Sequence, residues 1–190
     1  VTVLLAGGPA SGSERSERLS AQGLARFHTQ KYDEALLLFD QAVEADPNDA
    51  WAHYYRGVCR GRVGRTDEAI TDLRDALSLD PSLTPAALEL GSALIQTDQY
   101  QQAIPYLEQA QQDPALAARA ALFLGIAQLR LDHPEVARPA LERAAEDPAL
   151  ATPAEYYLGL LAYREGRMDD ATRHFGAVVE HSPQSSMGRE

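Results

Sequence analysis

Residues 50–83 read AWAHYYRGVCRGRVGRTDEAITDLRDALSLDPSL, and their pattern decides the fold. Apolar residues recur at helical spacing on both sides of a single interruption. Trp51 to Val63 reads as one helix, and Gly64 supplies the left-handed position that ends it. Thr66 is expected to cap the next start, and Asp67 to Leu79 forms a second helix before Asp80-Pro81 breaks the chain. The same plan recurs in both directions. Gly23, Gly57, Gly91, Gly125 and Gly159 stand 34 residues apart at every step, and so do Ala35, Ala69, Ala103, Ala137 and Ala171. A second alanine column runs through Ala42, Ala76, Ala110 and Ala144, and a bulky one through Phe39, Leu73, Leu107, Leu141 and Phe175. Each copy closes on Asp46-Pro47, Asp80-Pro81, Asp113-Pro114, Asp147-Pro148 or Ser182-Pro183.

Five copies follow, at residues 16–49, 50–83, 84–117, 118–151 and 152–185, each a helix-turn-helix pair. Neither helix of a pair can bury its apolar stripe alone, so neighbours must stack. A glycine in the first helix and an alanine in the second let the two backbones approach; a bulky side chain at Gly91 or Ala103 would wedge the pair apart. Thr84-Pro85 and Thr152-Pro153 read as N-cap threonines followed by first-turn prolines, while Pro105 and Pro139 fall near the first turns of second helices.

The composition narrows the function. Of 190 residues 45% are hydrophobic, and 17 Lys and Arg stand against 28 Asp and Glu, a net charge of −11. That balance disfavours nucleic acid and anionic membrane surfaces, which select a basic face. No apolar stretch approaches the roughly 18 residues of a membrane span. One cysteine, Cys59, leaves no internal disulfide and no zinc-finger framework. Arg outnumbers Lys 16 to 1, which with the alanine excess hints at a GC-rich bacterial genome.

No enzyme constellation stands out, and no cofactor is expected. His28, His53, His133, His174 and His181 fall without metal-ligand spacing; His174 and His181 could share a helix face but lack a third ligand, so no metal site is expected. Cys59 occupies a column that elsewhere holds Ala25, Ala93, Ala127 and Leu161, and reads as a buried inert thiol. The acidic residues, as in Asp67-Glu68 and Glu142, read as a solvated face and first-turn helix charges.

The recurring columns resemble the tetratricopeptide repeat over residues 16–185: Leu90-Gly91, Leu124-Gly125 and Leu158-Gly159, then Tyr32 and Tyr100, then the Ala, Phe/Leu and Pro columns. Gln22 and Arg56 depart from the pattern at the apolar slot before glycine, and Thr66, Pro134 and Met168 at the aromatic slot. The resemblance implies an all-α, right-handed superhelical solenoid of about ten antiparallel helices. It also implies a non-catalytic scaffold that holds a peptide segment or helix of a partner protein in a concave groove. In such arrays the groove is lined by slots 2, 5, 6, 9, 12 and 13 of each first helix, counting from Ser16, Ala50, Thr84, Ala118 and Thr152. On this chain those slots hold Trp51, Tyr54, Val58 and Arg62; Leu88, Ser92, Ile95 and Gln96; Arg119, Leu122, Ile126 and Arg130; and Tyr156, Leu160, Tyr163 and Arg164. Tyr55 and Tyr157 fit either the groove or the core between repeats. Trp, Tyr and Arg are the types that dominate binding hot spots.

The two-carboxylate clamp that some such arrays use on chaperone tails needs Lys and Asn where this chain has Ser20 and Leu24, then Tyr55, then Pro85 and Glu89. An acidic chaperone tail is therefore disfavoured, and a partner segment with apolar anchors is preferred. Residues 1–15 stand apart as a leader. Gly7 to Gly12 has the spacing of a phosphate loop, but Ser13-Glu14 replaces the required Lys-Ser/Thr pair, so a degenerate phosphate-binding fragment is only a remote alternative. The leader otherwise reads as a disordered segment or the remnant of a secretory signal, the latter favouring a periplasmic over a cytoplasmic location. Residues 186–190 stop where a further helix would begin, so self-association through an uncapped C-terminal end is expected. A role as a substrate-recruiting accessory domain of a larger outer-membrane or secretion assembly is the alternative to a free-standing scaffold.

Overall fold

The computed structural model describes residues 11–181, apart from the side chain of residue 181, and these form ten α-helices with no strand. In chain order they are α1 (Gly12–His28), α2 (Tyr32–Ala45), α3 (Ala50–Arg62), α4 (Thr66–Leu79), α5 (Thr84–Gln96), α6 (Tyr100–Ala110), α7 (Ala117–Arg130), α8 (Pro134–Ala145), α9 (Ala151–Arg164) and α10 (Met168–His181). The chain divides into two compact units between Ala93 and Leu94, within α5. In the first, α1 pairs with α2 and α3 with α4; in the second, α7 pairs with α8 and α9 with α10. The readings that fall on residues 1–10 and 182–190 lie outside the described residues. Gly12 to Arg15, placed by sequence in the leader, form the first turn of α1. Ser11 and Glu14 make a reciprocal capping box there, each side chain accepting from the other's backbone N–H at 3.2 Å.

The periodic columns have direct packing reasons. A methyl group added to Gly23 would lie 2.8 Å from the Phe39 ring, one on Gly125 2.6 Å from Leu141, and one on Gly159 2.7 Å from Phe175. The glycine column thus opens the slot into which the bulky residue of the second helix fits. The alanine column passes beside it, and Ala35, Ala103 and Ala137 are fully buried.

Both kinds of turn also repeat. Gln30, Gly64, Asp98, Asp132 and Gly166 share one slot and all have φ between 58° and 84°. After each, the next N–H reaches back five residues: Lys31 to the Arg26 carbonyl, Arg65 to Arg60, Gln99 to Leu94, His133 to Gln128 and Arg167 to Ala162, at 2.8–3.0 Å. This is the Schellman ending of a helix. Between copies, Asp46, Asp80, Asp113 and Asp147 each accept the backbone N–H two residues on, across the proline, at 2.9–3.0 Å. The aspartate before each proline therefore builds the turn that the proline permits.

Three expected caps are corrected. Thr66 and Thr84 are the first residues of α4 and α5, and Thr152 is the second of α9. Arg65 and Leu150 occupy the cap positions of α4 and α9, without side-chain caps. α4 and α5 start on their threonines and α9 one residue before its own, the preceding tight turn already setting the entry direction. Pro105 and Pro139 sit at the sixth residues of α6 and α8, one turn deeper than expected. The carbonyls of Gln101 and Glu135 lose their helical donors there, and both residues are exposed to water.

Candidate partner-binding faces

In the first unit, Trp51, Tyr54 and Tyr55 stand on the first turns of α3 and form one aromatic cluster. Trp51 meets Tyr54 edge-on at 5.6 Å and stacks on Tyr55 at 5.9 Å. Tyr55 in turn stacks on the buried Phe39 at 5.4 Å. Burial pushes the Tyr55 phenol up from its usual range. Tyr55 is thus a core residue that props Trp51, whose ring remains 47% exposed. An exposed indole held by a rigid partner loses little rotamer freedom on contact with another molecule. Beside it lies a cleft of about 510 Å³ lined by Glu17, Ser20 and Leu24 of α1, by Asp46 and Asp49, and by Trp51. Glu17, Ser20 and Leu24 occupy slots 2, 5 and 9 of the first copy, from which no binding residue is expected by sequence.

In the second unit, Tyr156 and Tyr163 on α9 are 46% and 60% exposed. Tyr156 packs edge-on against Tyr157 at 5.4 Å. Tyr157 packs onto two buried clusters built around Leu122, Leu158, Leu129 and Leu161, and so belongs to the core. Arg119 and Arg130 are exposed at opposite ends of α7.

The arginines at slot 13 have a structural reason as well. Arg62, Arg130 and Arg164 are each the last residue of their helix, where a cation faces the negative end of the helix dipole. Arg164 also donates to the Leu129 carbonyl at 3.1 Å, tying α9 to the end of α7. Four expected groove residues are corrected by burial: Val58, Leu88, Leu122 and Ile126 are all at least 92% buried. They face the packed side of the apolar stripe and belong to the core between helices. Ser92, Ile95, Leu160 and Tyr54 are half-buried, while Gln96, Arg62 and Arg164 are exposed.

The acidic residues do not all face solvent, which is a further correction. Asp72 on α4 is 1% exposed and accepts from Arg56 Nη2 at 2.6 Å and from Arg60 Nη1 at 2.8 Å. Asp40 stands 3.6 Å and 3.7 Å from the same two guanidiniums. Burial pushes the Asp72 carboxyl up, against the opposing pull of Arg56 and Arg60. Arg56 is the residue that departs from the family's apolar slot, and that departure was the available signal. Cys59 is fully buried, and its thiol is pushed up to about 12 by desolvation. His174 Nδ1 meets Glu155 at 2.6 Å. His53 of α3 and Asp72 and Asp75 of α4 bring their ligand atoms within 4.8 Å of one another.

A model of the tetratricopeptide repeat matches residues 20–84, 88–148 and 124–186. No curated protein is significantly similar in sequence. Among solved structures, MamA from residue 41 to its end, from Desulfovibrio magneticus RS-1, superposes with a TM-score of 0.79 at 24% identity, over 95% of this chain and 100% of that one. Another MamA crystal structure gives 0.77 at 23% identity, over 93% and 97%. PilW, described as a widely conserved type IV pilus biogenesis factor, gives 0.76 at 22% identity, over 87% and 77%. At these identities the likeness is one of fold.

Proposed function

The chain belongs to the tetratricopeptide repeat family, and from that premise we propose that it is a non-catalytic scaffold whose first-helix faces hold a segment of a partner protein through apolar anchors. One observation carries this reading. Among the described residues, the large exposed aromatic side chains, Trp51, Tyr156 and Tyr163, all stand on first helices of their pairs. The large exposed aliphatic ones, Leu37, Leu79, Val136, Met168 and Val179, all stand on second helices. Aromatic rings offer large, stiff contact area with few torsions to freeze, and a face that keeps them wet is spending stability on something other than folding. Arg119 and Arg130 add donors for carboxylates or peptide carbonyls on the second unit.

The test is photo-crosslinking from single sites in cells of the source organism. A photoreactive phenylalanine at Trp51, Tyr156 or Tyr163 should capture one and the same partner, and at Leu37 or Val136 should capture none of it. Capture of that partner through second-helix sites alone would reject the proposal.

A further inference from the structure

His53 lies on α3, 7% exposed, with Nε2 3.0 Å from the Pro47 carbonyl oxygen. A carbonyl only accepts, so Nε2 donates to it and Nδ1 is the ring nitrogen left for another partner. Nδ1 is buried without a hydrogen-bond partner. It faces Asp75 Oδ2 at 3.8 Å, with Asp72 completing the group. A ring nitrogen turned toward two carboxylates draws a positive species between them, either a proton or a metal ion. We propose that His53, Asp72 and Asp75 form a binding site for one divalent transition-metal cation of the zinc class, bracing α3 against α4.

The donor set fits that class. One imidazole and two carboxylates suit zinc better than calcium or magnesium, which select all-oxygen cages. Tetrahedral ligands at zinc distances stand about 3.4 Å apart, so the 3.8 Å separation of His53 and Asp75 closes with a shift of a few tenths of an ångström. Asp72 and Asp75 are three residues apart on α4, Asp72 buried and Asp75 half-exposed at the rim of the α3–α4 pair. The hydrogen bond from Nε2 to Pro47 is the outer-shell contact that holds a ligating histidine in one tautomer. Arg56 and Arg60 already donate to both oxygens of Asp72, Arg56 to Oδ1 at 2.6 Å and Arg60 to Oδ2 at 2.8 Å. They orient it and repel the cation, which leaves His53 and Asp75 as the principal ligands. The site involves none of the exposed aromatic residues and stands independently of partner binding.

The experiment titrates the whole chain with zinc chloride by calorimetry and with cobalt(II) chloride by visible absorption. One equivalent of each metal should bind, cobalt with the intense bands of four-coordination, and zinc should raise the unfolding temperature. Asp75→Asn leaves a half-exposed amide that the fold tolerates, and should weaken binding by at least ~10-fold, the loss that even an outer-shell partner can produce. His53→Gln should do the same. Nitrogen NMR should show the His53 Nδ1 signal shifting as zinc is added while Nε2 keeps its proton. Absence of stoichiometric binding, binding unchanged in Asp75→Asn, or an Nδ1 signal unmoved by zinc would each overturn the proposal. The last would leave the pair as a simple histidine–carboxylate contact.

Discussion

The second and fourth repeats put one backbone to different uses. In the second, the slot before the packing glycine holds Arg56, the next turn Arg60, and the facing helix Asp72. In the fourth, the same slots hold Leu124, Gln128 and Ala140. Outside, the second repeat shows Trp51 beside a cleft with Glu17, Asp46 and Asp49, while the fourth shows Arg119 and Arg130. The glycine and alanine columns, the helix ending and the Asp-Pro turn are common to both. Nesting of the pair is therefore fixed by a few small residues, and the slots around them are free to be charged, apolar or aromatic. The family's shape survives that freedom because ion pair and leucine fill the same space.

Substitutions can break this comparison. Asp72→Ala leaves two mostly buried guanidiniums without their closest carboxylate and should cost about 3–5 kcal/mol in denaturant unfolding. Giving the second repeat the fourth repeat's residues, Arg56→Leu with Arg60→Gln and Asp72→Ala, should recover wild-type stability or exceed it by about 1–4 kcal/mol. A triple variant no more stable than Asp72→Ala would show that the two interiors are not interchangeable.

The glycines sharpen it next. Gly125→Ala places its methyl 2.6 Å from Leu141 Cγ and should cost about 1–3 kcal/mol by overpacking. Gly57→Ala meets Leu73 at 3.0 Å and should cost less, since helix propensity offsets part of the crowding. Equal costs at the two sites would contradict the packing argument. At the helix ending, Gly64 in the second repeat matches Asp132 in the fourth, with φ of 84° and 62°. Thermal unfolding should show Gly64→Ala losing about 1 kcal/mol and Asp132→Gly gaining several tenths. The smallest effect concerns Cys59, where the fourth repeat has Ala127. A buried thiol raised to about 12 should resist alkylation at neutral pH in the native chain and react at once when it is unfolded.

Most of the fold was legible because its determinants lie one period apart and are residues with a single packing use. The glycine column reads in sequence as a place of close approach, and the structure supplies the ring or leucine that enters it. The threonine caps misled because the Schellman turn before α4 sets the helix start by backbone geometry, so the hydroxyl of Thr66 is not required. Asp72 misled for a different reason. Its charge suggested solvent, and only Arg56 and Arg60 from α3, across the pair, make its burial tolerable. His53 was opaque in the same way, since a period along one helix says nothing about two carboxylates on the next. At the candidate faces, the slots implied by the resemblance hold the exposed Trp51, Tyr156 and Tyr163 together with Val58, Leu88, Leu122 and Ile126, which are packed away, and helical spacing alone does not separate the two sets.

Trp51 is the chain's single tryptophan and lies on the face proposed to hold a partner. Its emission therefore tests the central claim most directly, once a partner segment is identified by crosslinking. Adding that segment should shift the emission to shorter wavelength and change its intensity in a saturable way, with the change lost when Tyr54 is replaced by alanine. Saturable binding that leaves the indole emission unchanged would contradict the account.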